Sequence, residues 1–170
     1  METAEPNVYA IGDIVAASPQ LAHVAEAEGI VAVEHAAGRD VHPINYRQIP
    51  GCTYCEPQVA SVGLTEQQAR DHQEGYAVKI GKFPFSANSK AAVLGAPEGF
   101  VKIVSDEKYG EILGVHMVGP GVTELIGEAV MAMRLEGTVQ DLAHAVHAHP
   151  TLSEAILEAA HAAGEGAIHI

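Results

Sequence analysis

The fold of this chain is decided by residues 99–118, which read GFVKIVSDEKYGEILGVHMV. In the first half of this stretch, Val101 and Ile103 recur with the two-residue period of a strand that has one buried face. A second apolar run, residues 112–118, follows after the turn-forming residues 106–110. Two strands joined by so short a connection must pair antiparallel, because a parallel pair needs a long crossover.

The same reasoning extends outward on both sides of this hairpin. Upstream, residues 77–84 and residues 52–64 are predicted strands, and Thr65 followed by Gln68 forms an N-terminal capping box that predicts a short helix. Downstream, apolar spacing predicts three helices, at residues 120–135, 138–146 and 152–163. Strands that come first and helices that come last predict an α+β fold, an antiparallel sheet of about four to five strands packed with helices.

The N-terminal part of the chain does not continue this pattern. Residues 7–13 are mostly apolar and end in Gly-Asp, which predicts a strand and a tight turn, and residues 21–37 have the spacing of a helix. We therefore divide the chain into a strand-and-helix segment (1–40), a proline-containing connector (41–50) and a main domain (51–170). Because a buried parallel strand needs neighbours on both sides, the first segment is expected to be the remnant of a larger domain.

Composition and charge exclude several classes of function. Nine Lys and Arg residues oppose 22 Asp and Glu residues, for a formal net charge of −13, whereas nucleic-acid binding depends on basic side chains at the phosphates. No stretch approaches the roughly 20 apolar residues of a membrane-spanning helix, and no secretion signal is visible. We expect a cytoplasmic protein, or one of the mitochondrial matrix in a eukaryote, that binds neither nucleic acid nor a membrane. The acidic charge is also compatible with a basic protein partner.

Cys52 and Cys55 form a Cys-x-x-Cys motif, which elsewhere binds zinc or cycles between thiol and disulfide. A redox pair of the thioredoxin kind lies at a helix N-terminus, but this pair lies in a predicted strand, where positions three apart point to opposite faces. A zinc site would also need a second ligand pair with matching spacing. We therefore predict neither a metal site nor a redox pair here.

The most informative segment is residues 147–154, His-Ala-His-Pro-Thr-Leu-Ser-Glu. Pro150 biases His149 toward an extended conformation, and Glu154 falls in the first turn of the helix that follows. A carboxylate there can fold back onto the imidazole, fix its tautomer and raise the basicity of the other ring nitrogen, which prepares a general base. The spacing alone also fits a helix-capping glutamate near a surface histidine.

This motif closely resembles the C-terminal active-site motif of dihydrolipoyl dehydrogenases, in the pyridine nucleotide–disulfide oxidoreductase family. Further resemblances follow in sequence order and cover almost the whole chain. They lie at residues 8–13, 21–23, 28–29, 49–50, 56–66, 83–85, 87–89 and 114–116. The chain is thereby identified as similar to the C-terminal third of such an enzyme, the end of its FAD-binding domain followed by its dimerisation domain.

The resemblance implies a role for each part of the motif. His149 is the base that takes a proton from a dihydrolipoyl thiol, or that holds the proton while the thiolate attacks the enzyme disulfide, and Glu154 orients it. Such a base is needed because thiolate is the nucleophile in thiol–disulfide exchange. His147 is expected to be structural or to support the residues that meet the substrate, and the His149–Pro150 peptide bond is expected to be cis. In the family, the pair that His149 and Glu154 resemble acts at the flavin and disulfide of the other subunit. The resemblance therefore implies a homodimer that uses FAD and NAD. It also implies that the lipoyl group is the substrate.

The resemblance also implies flavin contacts in the first segment. Asp13 is expected to accept a hydrogen bond from a ribityl hydroxyl of FAD, since a carboxylate at the end of such a strand faces the nucleotide crevice. The backbone around Gln20, Leu21, Ala22 and His23 is expected to point the N-terminus of the helix at the flavin, where its N–H groups stabilise negative charge. The loop before Gln20 is slightly longer than is usual in the family, which leaves its individual contacts open.

Other parts of such an enzyme do not occur in these 170 residues: the redox-active cysteine pair and the Gly-x-Gly-x-x-Gly turns. This chain alone is therefore expected to be inactive and to bind no stoichiometric FAD. The resemblance implies a further partner, the peripheral subunit-binding domain of a 2-oxo acid dehydrogenase acyltransferase, whose basic residues would meet Glu56 and, as a weaker candidate, Asp141. The alternatives are a non-catalytic dimerisation and docking module, or the equivalent domain of a glutathione-reductase-like disulfide reductase.

Overall fold

The computed structural model describes residues 1–72 and 75–170 of the chain. The chain forms two compact units, Met1–Ile49 and Pro50–Ile170, and each is described here by itself. None of the helices in the described residues combines the length and the apolar character needed to cross a membrane.

The first unit is built on one long helix. Its elements are a 3-10 turn at Gly12–Ile14, helix α1 at Ala22–Ala36 and a second 3-10 turn at Tyr46–Gln48. The helix predicted at residues 21–37 is confirmed, but the strand predicted at residues 7–13 is wrong. That segment makes a single antiparallel bridge, between Glu2 and Tyr9, and then enters the turn at Gly12. A strand requires a ladder to a neighbour, which residues 7–13 do not have within the described chain.

The second unit, within its described residues, contains a five-stranded sheet and five helices. The strands are β1 Gly51–Thr53, β2 Gln58–Gly63, β3 Val78–Pro84, β4 Phe100–Asp106 and β5 Ile112–Gly119. The helices are α2 Glu66–Arg70, α3 Ser89–Leu94, α4 Val122–Arg134, α5 Val139–His144 and α6 Glu154–Ala163. The sheet order is β1-β2-β5-β4-β3, and every neighbouring pair is antiparallel. The predicted α+β class is confirmed.

The predicted hairpin of β4 and β5 forms the centre of the core. Val101 pairs with Met117 and Ile103 pairs with Val115, and all four side chains are buried in the cluster that α4 and α6 cover. Full burial of one such side chain stabilises the fold by about 1.5–3 kcal/mol. The capping box at Thr65 and the three C-terminal helices are also confirmed.

Two elements differ from the sequence prediction. The single strand predicted at residues 52–64 is a hairpin of β1 and β2, whose turn contains the cis peptide bond Glu56–Pro57. Pro57 has no N–H for a ladder, which explains why the run is interrupted there. The sequence prediction also lacks α3, although Asn88 caps it by accepting a hydrogen bond from the N–H of Ala91 at 2.9 Å. Asparagine is a preferred N-cap residue, so a signal for this helix was present.

Helix α6 lies unusually close to strand β3. A Cβ atom at Gly81 would overlap backbone atoms of Ala159 and Ala163. The glycine therefore allows the helix backbone to approach the strand, which no larger residue would permit. The buried face of α6 is formed by small side chains at most positions, Ala155, Ala159, Ala160 and Ala163, together with Ile156. This packing fixes the first turn of α6, where Glu154 lies, against the sheet.

Candidate active site at His149 and Glu154

The loop between α5 and α6 brings His149 against Glu154. Nδ1 of His149 lies 2.9 Å from Oε1 of Glu154, and the His149–Pro150 peptide bond is cis, as predicted. A carboxylate can only accept a hydrogen bond, so Nδ1 carries the proton and the lone pair of the ring lies on Nε2. The imidazole side chain is 70% exposed and the carboxylate 21%. The protein therefore sets the orientation of the ring and leaves a basic nitrogen open to a substrate.

Glu154 is held on both of its oxygens. The N–H of Thr151 donates to Oε2 at 2.8 Å, and the Thr151 hydroxyl donates to the carbonyl of Ala148 at 2.7 Å. Burial raises the pKa of the Glu154 carboxyl, but the N–H of Thr151, the hydrogen bond and the charge of His149, and the charge of His147 together hold it below its usual value. Glu154 is therefore ionised at neutral pH and can stabilise a protonated imidazole.

The pair opens onto a cavity of about 200 Å³. Its lining residues are Phe83, Ala87, Asn88, Ser89, His149, Glu154, Leu157, Glu158 and His169. They belong to the end of β3, the turn before α3 and the first residue of α3, the loop before α6, helix α6 and the C-terminal segment (residues 164–170). The volume is below the roughly 300–1,000 Å³ of sites that hold whole small molecules, so the cavity suits a narrow group.

A second histidine–carboxylate pair, which the sequence prediction missed, lines the same cavity. Glu158 is only 3% exposed and accepts from Nδ1 of His169 at 2.6 Å and from the N–H groups of Ile168 and His169 at 2.8 and 3.2 Å. Burial raises the pKa of the Glu158 carboxyl, but these hydrogen bonds outweigh it and lower the pKa overall. Glu158 follows Glu154 by four residues and so lies on the same helix face, a spacing that is visible in the sequence.

His147 differs from His149, although only one residue separates them. Its Nδ1 lies 2.8 Å from the carbonyl oxygen of Ala145, and its Nε2 lies 2.8 Å from Oε1 of Glu128. Its side chain is 8% exposed. A ring with both nitrogens engaged offers no free lone pair to a substrate, so the fold holds His147 in place and does not present it to the cavity as it does His149.

The residues predicted to contact a flavin lie in the first unit. Asp13 is exposed in the turn Gly12–Ile14, and Gln20, Ala22 and His23 are also exposed. Helix α1 begins at Ala22, and no side chain caps its N-terminus at Leu21. The first unit therefore presents an exposed carboxylate at Asp13 and a helix N-terminus whose N-cap residue makes no side-chain hydrogen bond.

The loop that carries these residues is fixed by Glu28, a residue to which the sequence prediction gave no role. Glu28 is fully buried and accepts hydrogen bonds from the Ser18 hydroxyl at 2.6 Å, the Tyr46 hydroxyl at 2.7 Å and the Gly12 N–H at 2.6 Å. The Ser18 bond, with the other two, keeps the pKa of Glu28 below its usual value despite burial. The carboxylate thus ties the loop at residues 12–18 to α1.

The two predicted partner-binding acids have different environments. Glu56 is exposed in the turn between β1 and β2. The carboxylate of Asp141 instead accepts from the N–H and the hydroxyl of Thr138, both at 2.8 Å, and these bonds lower its pKa. Asp141 is therefore engaged in the cap of α5, whereas the side chain of Glu56 is exposed.

The Cys-x-x-Cys motif lies across the same hairpin, with Cys52 in β1 and Cys55 in the turn, and both are free thiols. Burial, followed by the charge of Glu124, raises the pKa of the Cys52 thiol, which makes it less reactive. Among residues 1–72 and 75–170, no cluster of three or more His, Cys, Asp and Glu side chains is arranged to hold a metal ion.

Comparison with known sequences finds dihydrolipoyl dehydrogenases that match almost the whole of this chain. The dihydrolipoyl dehydrogenase of Bacillus subtilis is 54% identical over 168 residues, which is 99% of this chain and 35% of that protein. The dihydrolipoyl dehydrogenase of Mycobacterium leprae is 53% identical over 162 residues, 95% of this chain and 34% of that protein. This chain thus spans about a third of the length of these curated relatives.

Comparison with solved structures gives the same fold. The crystal structure of LpdA from Mycobacterium tuberculosis matches with a TM-score of 0.81 and 34% identity, over 89% of this chain and 32% of that one. The copper(II) complex of the flavoprotein disulfide reductase RclA from Escherichia coli matches with a TM-score of 0.81 and 22% identity, over 94% of this chain and 36% of that one. At this level of identity the match shows a shared fold only. Residues 49–160 match the dimerisation domain of the pyridine nucleotide-disulphide oxidoreductases, and the chain belongs to that family.

Proposed function

We propose that this chain is the C-terminal part of a dihydrolipoyl dehydrogenase, in which His149 is the base for thiol–disulfide exchange and Glu154 holds it in place. The observation that carries the proposal is the geometry of the pair: Nδ1 of His149 is bonded to an ionised carboxylate, and Nε2 is open at a narrow cavity. The dehydrogenases that are more than half identical over almost the whole chain support this choice of reaction.

The chemistry follows from the acid–base properties of the pair. Nε2 of His149 takes the proton of one dihydrolipoyl thiol, and the thiolate attacks one sulfur of a disulfide carried by the rest of the enzyme. A mixed disulfide forms, the original S–S bond breaks, and its other sulfur leaves as a thiolate. Ionised Glu154 stabilises the imidazolium that results. The second dihydrolipoyl thiol then attacks the lipoyl sulfur of the mixed disulfide, its proton passes to the enzyme sulfur that leaves, and the lipoyl disulfide closes while His149 keeps the first proton.

The first unit, and residues 1–40 in particular, would belong to the FAD-binding domain, with residues 41–50 as the connector and 51–170 as the dimerisation domain. Asp13 would accept from a ribityl hydroxyl, and the α1 N-terminus at Gln20, Leu21, Ala22 and His23 would lie at the flavin ring. The uncapped start of α1 supports this assignment, because a helix N-terminus stabilises negative charge. Bound FAD would supply the transfer of electrons from the enzyme dithiol to NAD.

The reaction is tested by the substrate preference of the complete flavoenzyme that carries this segment. We expect reduction of NAD by dihydrolipoamide and no reduction of glutathione disulfide by NADPH. The opposite preference would assign the segment to a glutathione-reductase-like enzyme, the second candidate, and would overturn the proposal. Absence of both activities would favour a non-catalytic module.

The chain would also form a homodimer, since its main domain is the dimerisation domain of the family. Two copies are required if His149 of one subunit is to act at the flavin and disulfide of the other. Light scattering of the pure chain at micromolar concentration measures this directly. A monomer under these conditions would contradict the proposal, because obligate dimers bury large apolar interfaces that hold at such concentrations.

The peripheral subunit-binding domain of an acyltransferase is the proposed heterologous partner. The support is the net charge of −13 and the exposure of Glu56 in the β1–β2 turn. Glu56→Lys should weaken binding and reduce its dependence on salt, because exposed charges act over only about 8 Å at physiological ionic strength.

Glu107→Lys is the matched control for this partner. It makes the same charge change in the β4–β5 turn, which the register of β2 on β5 places at the opposite end of the sheet. Calorimetry with the isolated binding domain should show a weaker complex for Glu56→Lys and little change for Glu107→Lys. No heat with the unchanged dimer at low salt would exclude this docking surface.

A further inference from the structure

We propose that Asn88 is a positioning residue for the His149 base: its amide fixes Thr151, which in turn holds Glu154 against the imidazole. The inference rests on the proposed function, in which His149 is the base. It extends that function to a residue of a different part of the fold, at the turn between β3 and α3.

The side chain of Asn88 is buried and used at both ends. The residue is 4% exposed, its Nδ2 donates to the carbonyl oxygen of Thr151 at 3.0 Å, and its Oδ1 accepts from the N–H of Ala91 at 2.9 Å. A flipped amide would place its NH₂ against the N–H of Ala91 and its oxygen against the carbonyl of Thr151. The two partners therefore allow a single orientation, and the donor is directed at Thr151.

Thr151 is the same residue that holds Glu154. Its carbonyl accepts from Asn88, and its N–H donates to Oε2 of Glu154 at 2.8 Å, while Oε1 of Glu154 accepts from Nδ1 of His149 at 2.9 Å. These hydrogen bonds, joined through the backbone of Thr151, thus lead from the turn before α3 to the imidazole. Movement of Thr151 would move the Glu154 carboxylate, and with it the ring.

The hydrogen bond from Asn88 to Thr151 differs from the other hydrogen bonds of the loop before α6 in the sequence separation of its two residues. It joins positions 63 apart in sequence, whereas the bonds of Thr151 to Ala148, Ser153 and Glu154 are local. Among the described hydrogen bonds of residues 148–153, it is the one that extends beyond the loop and α6. Asn88 also lines the cavity into which His149 opens, so it lies at the reacting site without supplying a proton-transfer group.

Two substitutions distinguish the hydrogen bond that Asn88 donates to Thr151 from the role of Asn88 as the N-cap of α3. Asn88→Asp keeps the size and the cap acceptor but turns an oxygen toward the Thr151 carbonyl. Asn88→Ser keeps a cap acceptor without adding charge and is too short to reach Thr151. The control is Val93→Gly at an exposed position of α3, which weakens that helix without touching the donor.

In the complete flavoenzyme, both Asn88 variants should lower kcat with dihydrolipoamide by about 10- to 100-fold with little change in KM, because a misplaced base slows the chemical step more than binding. Electron transfer from NADH to ferricyanide, which involves no thiol, should be unaffected. Val93→Gly should leave both reactions unchanged. If Asn88→Asp does not fold, Asn88→Ser carries the test.

A second measurement uses the present chain and does not depend on catalysis. Carbon-13 NMR titration of the Glu154 carboxyl should show a higher pKa in Asn88→Ser than in the unchanged chain, because the Thr151 N–H is no longer held in place. The pKa should not change in Val93→Gly. An unchanged titration in a folded Asn88→Ser chain overturns the inference, whatever His149 does in catalysis.

The two measurements also separate the inference from the function on which it rests. If the pKa of Glu154 shifts in Asn88→Ser but kcat does not change, the activity of His149→Gln shows whether the Asn88 inference or the proposed function is wrong. A large loss of activity in His149→Gln overturns the positioning role of Asn88, and no loss there overturns the proposed function.

Discussion

The loop before α6 (residues 145–153) and the C-terminal segment after it (residues 164–170) each fasten a histidine to a glutamate of that helix. In the loop, Nδ1 of His149 lies 2.9 Å from Glu154, and in the C-terminal segment Nδ1 of His169 lies 2.6 Å from Glu158. The two glutamate side chains differ in exposure: the side chain of Glu154 is 21% exposed and that of Glu158, a residue buried as a whole, is 4% exposed. The two regions therefore use the same chemical pair in different surroundings.

What each carboxylate must hold explains the difference. Glu154 binds one main-chain N–H and one imidazole, and the loop around it has further support from Asn88 and from the Thr151 hydroxyl. Glu158 binds two main-chain N–H groups and one imidazole of its segment, which is also held by the N–H groups of Gly164 and Gly166 on the last turn of α6 and by Lys79 on the carbonyl of Gly164. Glu154 thus orients one imidazole beside the cavity, whereas Glu158 also fastens the main chain of the C-terminal segment.

The largest expected effect separates the two histidines. In the complete flavoenzyme, His149→Gln should lower kcat with dihydrolipoamide by about 10²- to 10⁴-fold, the usual contribution of a general base. His169→Gln should have little effect on kcat. Equal losses in the two variants would show that both histidine–glutamate pairs take part in the reaction, which would contradict the distinction drawn between them.

Glu154→Gln should give the next largest effect. The amide has a single acceptor oxygen for two donors, Nδ1 of His149 and the N–H of Thr151, and no negative charge remains to stabilise the imidazolium. We expect kcat to fall on the order of 10- to 100-fold, less than in His149→Gln, when the rate is measured near neutral pH. A loss as large as that of His149→Gln would mean that the carboxylate, rather than the ring, limits proton transfer.

Glu158→Gln should act on stability. A buried carboxylate that accepts three hydrogen bonds is replaced by an amide with a donor it cannot use, which should cost about 1–3 kcal/mol of unfolding free energy in urea. Glu165→Gln, at an exposed position of the same segment, is the matched control and should change little. Faster amide exchange at Ile168 and His169 in Glu158→Gln would show that the segment is released.

The Glu158 contribution should also depend on pH. Its pKa is below the ordinary value of 4.5 in the folded chain, so the stabilisation is present above the unfolded-state pKa and is lost as the pH falls through the folded-state pKa. The difference in stability between the unchanged chain and Glu158→Gln should therefore shrink as the pH falls through the pKa of Glu158. A difference that persists at low pH would mean that packing, not charge, holds the segment.

The smallest effect should come from His169→Ala in the isolated chain. The change removes one of the three hydrogen bonds to Glu158 and leaves the two main-chain donors in place. The loss of unfolding free energy should be roughly a third of that in Glu158→Gln. A loss equal to that of Glu158→Gln would show that the imidazole alone holds the segment.

Much of the fold was predictable because its signals are local. The alternation at Val101 and Ile103, the capping box at Thr65 and the apolar spacing of the C-terminal helices each act over a few residues. The contact of His149 with Glu154 was predictable for the same reason, because Glu154 begins the helix that follows the loop.

What the sequence could not supply depends on distant partners. The bond of Asn88 to Thr151 spans 63 positions, and no periodicity indicates it. The C-terminal segment returns to Glu158 by way of Gly164 and Gly166, whose conformations no local pattern specifies. The strand predicted at residues 7–13 was wrong for a related reason, because apolar character favours a strand only where another strand is available to pair with it.

The close approach of α6 to Gly81 bears on the order in which the molecule can assemble. β3 is synthesised well before α6, with α3, β4, β5, α4 and α5 between them. During that interval the surface of the sheet beside Gly81 has no helix to cover it, so a nascent chain exposes an apolar face until α6 emerges. The candidate base can then form only late in folding, and a chain cut short before α6 would be a natural target for chaperones.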